Sequence, residues 1–234
     1  MHQFWFGLEI TYVKIVSMLI LASSSPRRQQ LLTFLGVKFQ VLSVEIDEHV
    51  RPGETPKEYV SRLALSKSQA INPPSAGRWV ILAADTAVVD ENQILGKPGD
   101  SLQAINMLRK LRARTHYVFT CLLARDTMTE EVITDLCVTE VRMRSYHESE
   151  IRDYVASGDP LDKAGAYAIQ NSGFNPVRDI SGCYTNVVGL PLCHLTELLK
   201  QMEIKYQEHT THGCRTSHGY SCQLVEKIQE FSSP

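Results

Sequence analysis

The stretch Leu19-Ile20-Leu21-Ala22-Ser23-Ser24-Ser25-Pro26-Arg27-Arg28 decides the fold of this 234-residue chain. Its apolar first half predicts a buried strand. The serines and the proline predict an immediate turn into a helix, because Ser25 can cap the helix and Pro26 suits its first position. Backbone N–H groups are unpaired at such a helix start and lie at the positive end of the helix dipole. The stretch therefore predicts an anion-binding turn near the start of an α/β domain.

Two arginines follow this turn directly. Arg27 and Arg28 place guanidinium groups where the oxygens of a bound phosphate would lie. The leucines that follow and the stop at Gly36 complete a short amphipathic helix. A capped surface helix with solvated arginines explains the same residues, so the stretch alone leaves both interpretations open.

The composition excludes several classes of protein. The formal net charge is −2, whereas nucleic-acid-binding proteins are usually strongly basic. No stretch reaches the roughly 18 apolar residues of a membrane span. The apolar run at residues 15–22 is short and follows the acidic Glu9, which argues against a secretory signal. The six cysteines form no CxxC pair, which favours a reducing cytoplasm. We expect a cytoplasmic protein with neither a nucleic-acid partner nor a membrane.

The chain divides into a domain and two terminal segments. Residues 1–17 are interpreted as an extension, residues 18–203 as the folded domain, and residues 204–234 as a polar, poorly ordered tail. The tail contains metal-capable side chains whose spacing fits none of the usual zinc patterns, so a disordered tail is preferred. These side chains are His212, Cys214, His218 and Cys222.

Strand and helix patterns alternate along the domain, which predicts an α/β fold. Capping boxes at residues 55–58 and 145–148 predict helices that end near residues 67 and 158. Further helices are predicted around residues 104–111 and from residue 191 onward. The predicted strands are residues 37–46, 79–84, 88–89, 117–124, 132–141, 165–170 and 186–188, with a turn at 90–92.

One carboxylate stands out from the other charged residues. Asp85 follows the uninterrupted apolar run at residues 79–84, so it is predicted at the carboxyl end of a buried strand, where ligands bind in open α/β sheets. It is a candidate general base or Mg²⁺ ligand, with a helix cap or a structural role as the alternative. Several cations, and the acidic run at residues 45–48, are each more simply solvated charges when taken alone. The cations are Arg27, Arg28, Lys67, Lys97 and Lys163.

Five motifs in a fixed order resemble the Maf family of nucleoside triphosphate pyrophosphatases. They are Ser-x-Ser-Pro-Arg-Arg at 23–28, Ala-Asp-Thr-x-Val-Val at 84–89, Gly-Lys-Pro at 96–98, Asp-Lys-Ala-Gly-Ala-Tyr-x-Ile-Gln at 162–170 and Val-Val-Gly-Leu-Pro-Leu at 187–192. The resemblance covers about residues 18–202. It implies an extended mixed β-sheet with flanking helices, which form two lobes around a nucleotide-binding cleft as in inosine triphosphate pyrophosphatases.

The resemblance also implies the reaction and the site. A nucleoside triphosphate would be hydrolysed to the monophosphate and pyrophosphate with Mg²⁺ or Mn²⁺, and a homodimer is possible in this family. Asp85 matches the catalytic base, and Glu48 and Asp85 are expected to bind the metal. The residues expected at the phosphates are Ser23, Ser25, Arg28, Lys67, Lys97 and Lys163.

Substrate preference is implied by three further positions. Arg27, Thr86 and Gln170 match the branch that acts on dTTP and UTP, and a Gln170 amide suits a uracil or thymine edge. A rival branch acting on 7-methyl-GTP carries Gln where this chain has Thr86. The chain departs from the usual family pattern in having Gln30 for Glu, Glu45 for Asp, Ala168 for Gly and Asn171 for Gly.

Two alternatives stay open at the level of sequence. A nucleotide-binding regulator of septum formation would bind nucleotide with little turnover, and Gln30 in place of an acidic residue favours it. A pyrophosphatase selective for modified purine nucleotides would share the same fold and the same Asp85.

Overall fold

The computed structural model describes residues 18–207, which contain seven strands and six helices. The strands are β1 Met18–Leu21, β2 Phe39–Val41, β3 Trp79–Asp90, β4 Gln93–Leu95, β5 Thr115–Asp126, β6 Val132–Met143 and β7 Val177–Ser181. The helices are α1 Pro26–Thr33, α2 Pro56–Ala70, α3 Ser101–Leu111, α4 Glu148–Ala156, α5 Tyr184–Val188 and α6 Leu192–Gln201. Short 3₁₀ turns cover Asp159–Asp162 and Ala164–Ala166.

All seven strands belong to one mixed sheet with the order β2-β1-β3-β5-β6-β7, and β4 pairs with β3. Strand β1 runs parallel to both β2 and β3. The β3–β4, β3–β5, β5–β6 and β6–β7 pairs are antiparallel. The predicted extended mixed sheet with flanking helices is therefore confirmed.

One edge of β3 is paired in two separate places. Strand β1 pairs with β3 from Trp79 to Leu82, and β4 pairs with it from Val88 to Asp90. Residues 83–87 of β3 have no strand partner on this side within residues 18–207. The chain leaves β1 beside this gap and turns into α1, so the predicted anion-binding turn faces an opening in the sheet.

Helices cover both faces of the central strands. Helix α2 packs on one face, where Val60, Leu63 and Ala64 meet inward side chains of β3 and β5. Helices α5 and α6 pack on the opposite face of β5 and β6. Burial on both faces explains why β3 is a nearly continuous apolar run rather than an alternating one.

Local helix signals predicted most helix starts correctly. Ser25 caps α1 by accepting a hydrogen bond from the Arg28 backbone N–H. The capping box of Thr55 and Glu58 opens α2, which runs beyond residue 67 to Ala70. The predicted cap at residue 145 is wrong, because α4 begins at Glu148 and the Glu150 carboxylate accepts the backbone N–H of residue 147 at 2.6 Å.

Two predicted strands are wrong. Residues 165–170 form no strand, because Gly165 and Ala166 have φ of 70° and 59°, which a strand does not accommodate. Residues 186–188 belong to helix α5, which ends at Gly189 with φ of 118°. The valines at 187 and 188 imitate a strand, but the carboxamide of Asn186 is buried and hydrogen-bonded.

Other strand boundaries also differ from the prediction. Strand β2 is limited to Phe39–Val41, because its partner β1 ends at Leu21. Strand β3 is continuous from Trp79 to Asp90 and includes both predicted segments. The predicted turn after Asp90 is confirmed, with Glu91 and Asn92 at positive φ.

The end of the described chain packs against the domain. Ile204 is buried, and the Gln207 backbone N–H donates to the Leu35 carbonyl at 2.8 Å. The predicted extension at 1–17 and residues 208–234, which include the metal-capable side chains of the tail, lie outside the described residues. None of the helices within residues 18–207 is long and apolar enough to cross a membrane.

A glycine in the 3₁₀ turn provides a test of this packing. A Cβ on Gly165 would lie 2.9 Å from Val88 Cγ1, whereas one on Gly53, which has φ of 74°, would meet nothing within 4 Å. Both Gly→Ala variants carry the cost of a left-handed residue, about 1–2 kcal/mol. We expect Gly165→Ala to lose about a further 1–3 kcal/mol of unfolding free energy in urea titrations because of the clash. Equal losses in the two variants would contradict this packing.

Candidate active site

A cleft of about 340 Å³ opens at the gap in the edge of β3. All five sequence motifs contribute to its walls, although they are far apart in the chain. Every candidate site residue from the sequence lines it: Ser23, Ser25, Arg27, Arg28, Glu48, Lys67, Asp85, Thr86, Lys97, Lys163 and Gln170. The structure therefore brings the whole predicted set together, in a volume typical of small-molecule sites.

A lysine and two carboxylates form the charged centre of the cleft. Lys67 Nζ donates to Asp85 Oδ1 at 2.5 Å and lies 2.8 Å from Glu48 Oε1. Lys67 comes from the last turn of α2, and Asp85 from residues 83–87 of β3, which pair with β5 on one edge and border the gap on the other. Both are buried, with 9% and 5% of their surfaces exposed. Lys97 Nζ approaches Glu48 Oε2 at 4.0 Å from the rim.

The two carboxylates have opposite pKa shifts. Burial raises the pKa of Asp85 above its ordinary value, and the charges of Lys67 and Arg28 offset part of that effect. Burial also acts to raise the pKa of Glu48, but the hydrogen bond and charge of Lys67 outweigh it, so the pKa of Glu48 is lowered. Asp85 is thus the more basic carboxylate of the pair.

Arg28 forms hydrogen bonds to three different segments on the other side of the cleft. Its Nε donates to the Gly189 carbonyl at 2.8 Å, Nη2 donates to Thr86 Oγ1 at 3.0 Å, and Nη1 reaches Ser23 Oγ at 3.4 Å. Burial lowers the pKa of this guanidinium. A guanidinium has five N–H groups, so these bonds leave at most two for a phosphate. The expected phosphate ligand is therefore also a link between α1, β3 and the end of α5.

Thr86 lies next to Asp85 but belongs to the opposite face of the sheet, because side chains alternate along a strand. Its hydroxyl shares a hydrogen bond with Thr120 Oγ1 at 2.9 Å, in addition to accepting the one from Arg28. Both faces of β3 reach the cleft because the neighbouring strand is missing at this point. Thr86 is consequently held in one orientation by protein contacts.

Lys163 and Arg27 face two aspartates, of which Asp162 opens the motif at 162–170 and Asp159 lies outside every sequence motif. Lys163 Nζ lies 2.9 Å from Asp159 Oδ1 and 2.6 Å from Asp162 Oδ1, and Arg27 Nη1 lies 3.7 Å from Asp162 Oδ2. The spacing of Asp159 four residues before Lys163 is a signal that could have revealed the first pair. A bound polyphosphate must share these cations with the two carboxylates.

The segment that holds Gln170 is anchored from behind by aromatic residues. Tyr167 Oη and His116 Nε2 share a buried hydrogen bond at 2.8 Å. The Ala168 backbone N–H donates to Tyr154 Oη at 3.1 Å, and Tyr154 donates to Asp159 at 2.7 Å. His116 occupies an inward position of strand β5, where an apolar residue is usual, and this was its signal in the sequence. The segment is thereby fixed against the sheet.

Four residues differ from the usual family pattern, and some of them lie at the cleft while others lie away from it. Gln30 and Glu45 are not among the described residues that line the cleft. Ala168 lines it next to Gln170. Asn171 holds the adjoining turn, since its Nδ2 donates to Asp159 Oδ2 at 3.2 Å and its Oδ1 accepts the Phe174 N–H at 2.8 Å.

The buried histidine gives a pH-dependent stability. Burial lowers the pKa of His116 from 6.5 to about 4, although the charge of Asp90 opposes the shift. The folded chain then binds fewer protons than the unfolded chain between these pH values, so stability falls as pH drops through the window. Between pH 7 and pH 4 we expect the wild-type chain to lose about 3 kcal/mol more unfolding free energy than His116→Gln.

Urea titrations at a series of pH values measure this difference. The other histidines are present in both proteins and cancel in the comparison. Parallel stability curves for the two proteins would show that His116 does not titrate with a lowered pKa.

Comparison with known proteins supports one family. Residues 18–202 match the family described as Maf-like protein. The chain is 46% identical to a dTTP/UTP pyrophosphatase of Geotalea uraniireducens over 186 residues, 80% of this chain and 95% of that protein. It is 45% identical to one of Geobacter metallireducens over 80% of this chain and 96% of that protein. It is also 44% identical to one of Shigella boydii over 83% and 98%. This chain therefore belongs to the Maf-like protein family.

Proposed function

We propose that this chain is a nucleoside triphosphate pyrophosphatase that hydrolyses dTTP and UTP to the nucleoside monophosphate and pyrophosphate. The observation that carries the proposal is the buried Asp85–Lys67–Glu48 centre at the gap in β3. Support also comes from relatives at 44–46% identity that are named dTTP/UTP pyrophosphatases and are covered over at least 95% of their length.

Asp85 is proposed as the general base. Attack on the α-phosphorus requires a water molecule to lose a proton, and a carboxylate with a raised pKa accepts a proton more readily than an exposed one. Lys67 lies 2.5 Å away and favours the ionised carboxylate, which is the form that can accept. Burial thus makes Asp85 a stronger base, and Lys67 keeps it in the ionised form that can accept a proton.

The cations of the cleft are proposed to stabilise the leaving pyrophosphate. Lys97 stands at the rim with 63% of its side chain exposed, so it can reach a phosphate without breaking a buried contact. Lys163 and Arg27 approach from the opposite wall, held by Asp159 and Asp162. Charges placed in advance around a developing anion are an effective means of lowering a reaction barrier.

The charged centre contains two carboxylates that could together bind a divalent cation. Residues 18–207 hold no group of three or more His, Cys, Asp or Glu side chains that could bind a metal. Glu48 and Asp85, however, both point an oxygen at the Lys67 ammonium, so two anionic donors face one place. Mg²⁺ is usually bound through one or two carboxylates, with waters and substrate phosphates completing its shell. Such an ion would neutralise charge on the leaving pyrophosphate.

The base of the nucleotide is proposed to be selected beside Gln170. The carboxamide offers both donors and an acceptor, which complement the edge of uracil or thymine. Gln170 follows the segment anchored by Tyr167, and Thr86 is fixed by Arg28 and Thr120. These rigid surroundings favour selection by shape and hydrogen bonding together.

A cytoplasmic location forms part of this proposal. The described cysteines, which are Cys121, Cys137, Cys183 and Cys193, are in the reduced form rather than in disulfides. Thiols persist in a reducing compartment.

Pyrophosphate release from a panel of nucleotides tests the proposed function. The panel contains dTTP, UTP, CTP, ITP and 7-methyl-GTP, each with Mg²⁺ or Mn²⁺. We expect dTTP and UTP to give the highest kcat/KM, because the Gln170 amide matches their base edges. A preference for ITP or 7-methyl-GTP would indicate the purine-selective alternative. Nucleotide binding without turnover would favour the regulator.

Asp85→Asn tests the general base. We expect kcat for dTTP to fall about 10²–10⁴-fold, because the amide cannot accept the proton of the attacking water. Asp135→Asn is a matched control, since Asp135 contacts His194 at 2.7 Å and does not line the cleft. An Asp85→Asn enzyme with wild-type kcat would exclude this assignment, and circular dichroism checks that both variants fold.

A further inference from the structure

Two cysteines face each other on the side of the sheet opposite α2. Cys137 lies on β6, and Cys183 immediately precedes α5. The two thiols are close enough for Cys183 to raise the pKa of Cys137. The Cys183 N–H donates to Thr139 Oγ1 at 3.0 Å, and that hydroxyl donates to the Cys183 carbonyl at 3.2 Å. Thr139 is two residues beyond Cys137 on the same face of β6, so these bonds hold the two cysteines side by side.

The two cysteines differ in exposure. Cys137 is buried, with 4% of its surface exposed, whereas Cys183 is partly accessible. The hydrogen bond to Cys183 and burial raise the pKa of Cys137 far above its ordinary value. Peroxide can therefore reach Cys183 directly, whereas Cys137 is placed to react with the oxidised Cys183.

The short helix α5 connects this pair to the cleft. Cys183 precedes its first residue and Gly189 follows its last, and the Gly189 carbonyl accepts the Arg28 Nε hydrogen bond at 2.8 Å. Within the helix, the Thr185 hydroxyl contacts Cys183 Sγ at 3.2 Å, and Asn186 Nδ2 donates to Thr139 Oγ1 at 2.9 Å. Any shift of Cys183 therefore acts on the helix that positions Arg28.

A second connection runs across the sheet. Thr120 on β5 is the direct cross-strand partner of both Thr86 and Cys137. Neighbouring strands are about 4.8 Å apart, so Cys137 lies about 10 Å from the Thr86 backbone in this row. The Thr120 hydroxyl bonds to Thr86 and also donates to the Asn186 carbonyl at 3.4 Å. The thiol pair and the candidate active site thus share hydrogen-bonded neighbours.

We propose that peroxide oxidises Cys137 and Cys183 to a disulfide. This disulfide shifts α5 and thereby Arg28, which lowers nucleotide turnover. The effect on turnover rests on the proposed function, whereas formation of the disulfide does not.

The reaction balances with hydrogen peroxide as the two-electron oxidant. The Cys183 thiolate attacks one peroxide oxygen, the O–O bond breaks, and the products are Cys183 sulfenic acid and hydroxide, which takes a proton to become water. The Cys137 thiol then displaces the sulfenic hydroxyl, forming the S–S bond and releasing a second water. Two thiols are oxidised and one peroxide is reduced.

Closure of the disulfide changes the surroundings of α5. A covalent bond holds the sulfurs closer together than a thiol–thiol hydrogen bond does. Cys183 Sγ is thereby drawn away from Thr185, whose hydroxyl also accepts the Leu192 N–H at 3.0 Å. The helix start moves toward β6, and the Gly189 carbonyl moves with it. Arg28 then loses the hydrogen bond to the Gly189 carbonyl that fixes its position in the cleft.

The test treats the purified full chain with hydrogen peroxide and follows two readouts. Non-reducing peptide mapping by mass spectrometry detects a Cys137–Cys183 crosslink, and it separates that bond from any formed by Cys214 or Cys222. Pyrophosphate release from dTTP measures turnover. We expect the crosslink to form and kcat/KM to fall about tenfold or more, since misplacements near 1 Å can cost up to 10²-fold. Dithiothreitol should restore both readouts.

Serine variants separate this site from general oxidation damage. Each variant is compared with its own activity before peroxide. Cys137→Ser and Cys183→Ser should keep their activity after treatment. Cys121→Ser is the matched control, because Cys121 is a buried cysteine on the α2 side of the sheet, and it should respond as the wild-type chain does.

Three results would overturn the inference. They are absence of the Cys137–Cys183 crosslink, a crosslink with unchanged kcat/KM, and inactivation of Cys183→Ser equal to that of the wild-type chain. If the reduced chain turns over no nucleotide in the panel, the proposed function fails separately. The affinity for dTTP before and after oxidation then tests the coupling, and an unchanged affinity with the crosslink present contradicts it.

Discussion

The unpaired edge of β3 is the constraint on which the rest of the site depends. Strand β1 ends at Leu21 and β4 begins its pairing at Val88, so residues 83–87 have no strand partner on that side within residues 18–207. A paired strand would bury this edge and separate the two faces of the sheet. In the gap, Asp85 from one face and Thr86 from the other reach a single cleft. The turn into α1 opens at the same place, because β1 stops where the gap begins.

The ionic centre in this gap is not explained by stability. Removing Asp85 and Lys67 from water is costly, and buried ion pairs are often no more stable than apolar side chains of similar size. Burial keeps the pKa of Asp85 raised, while Lys67 and Arg28 counteract that effect. Such a balance between desolvation and charge is typical of catalytic groups. The long and well-packed α2 fixes Lys67, so the geometry of the centre depends on a rigid element.

Local physics explains which parts of this structure could be predicted from the sequence. The cap at Ser25, the capping box at Thr55 and the placement of Asp85 after an apolar run depend on near neighbours in the chain. Ordered motifs were sufficient to predict the mixed sheet and the members of the cleft. The pairing of His116 with Tyr167 could not be predicted, because the two residues are 51 positions apart. Residues 165–170 imitate a strand because their apolar side chains face the cleft and the core, whereas the positive φ of Gly165 is imposed by packing against distant Val88.

The two walls of the cleft differ in how firmly they are held. Helix α2 has 15 residues and a complete capping box, so its own hydrogen bonds and packing fix the position of Lys67. Helix α5 has five residues, and so short a helix is not stable by itself. Its position depends on side-chain bonds from Asn186 to β5 and β6 and on the contacts of Cys183 at its start. The proposed general base and its lysine partner therefore lie on the rigid wall. The opposite wall contains α5, and the Gly189 carbonyl at its end positions Arg28. Few contacts determine where α5 lies, so the proposed Cys137–Cys183 disulfide is sufficient to displace it.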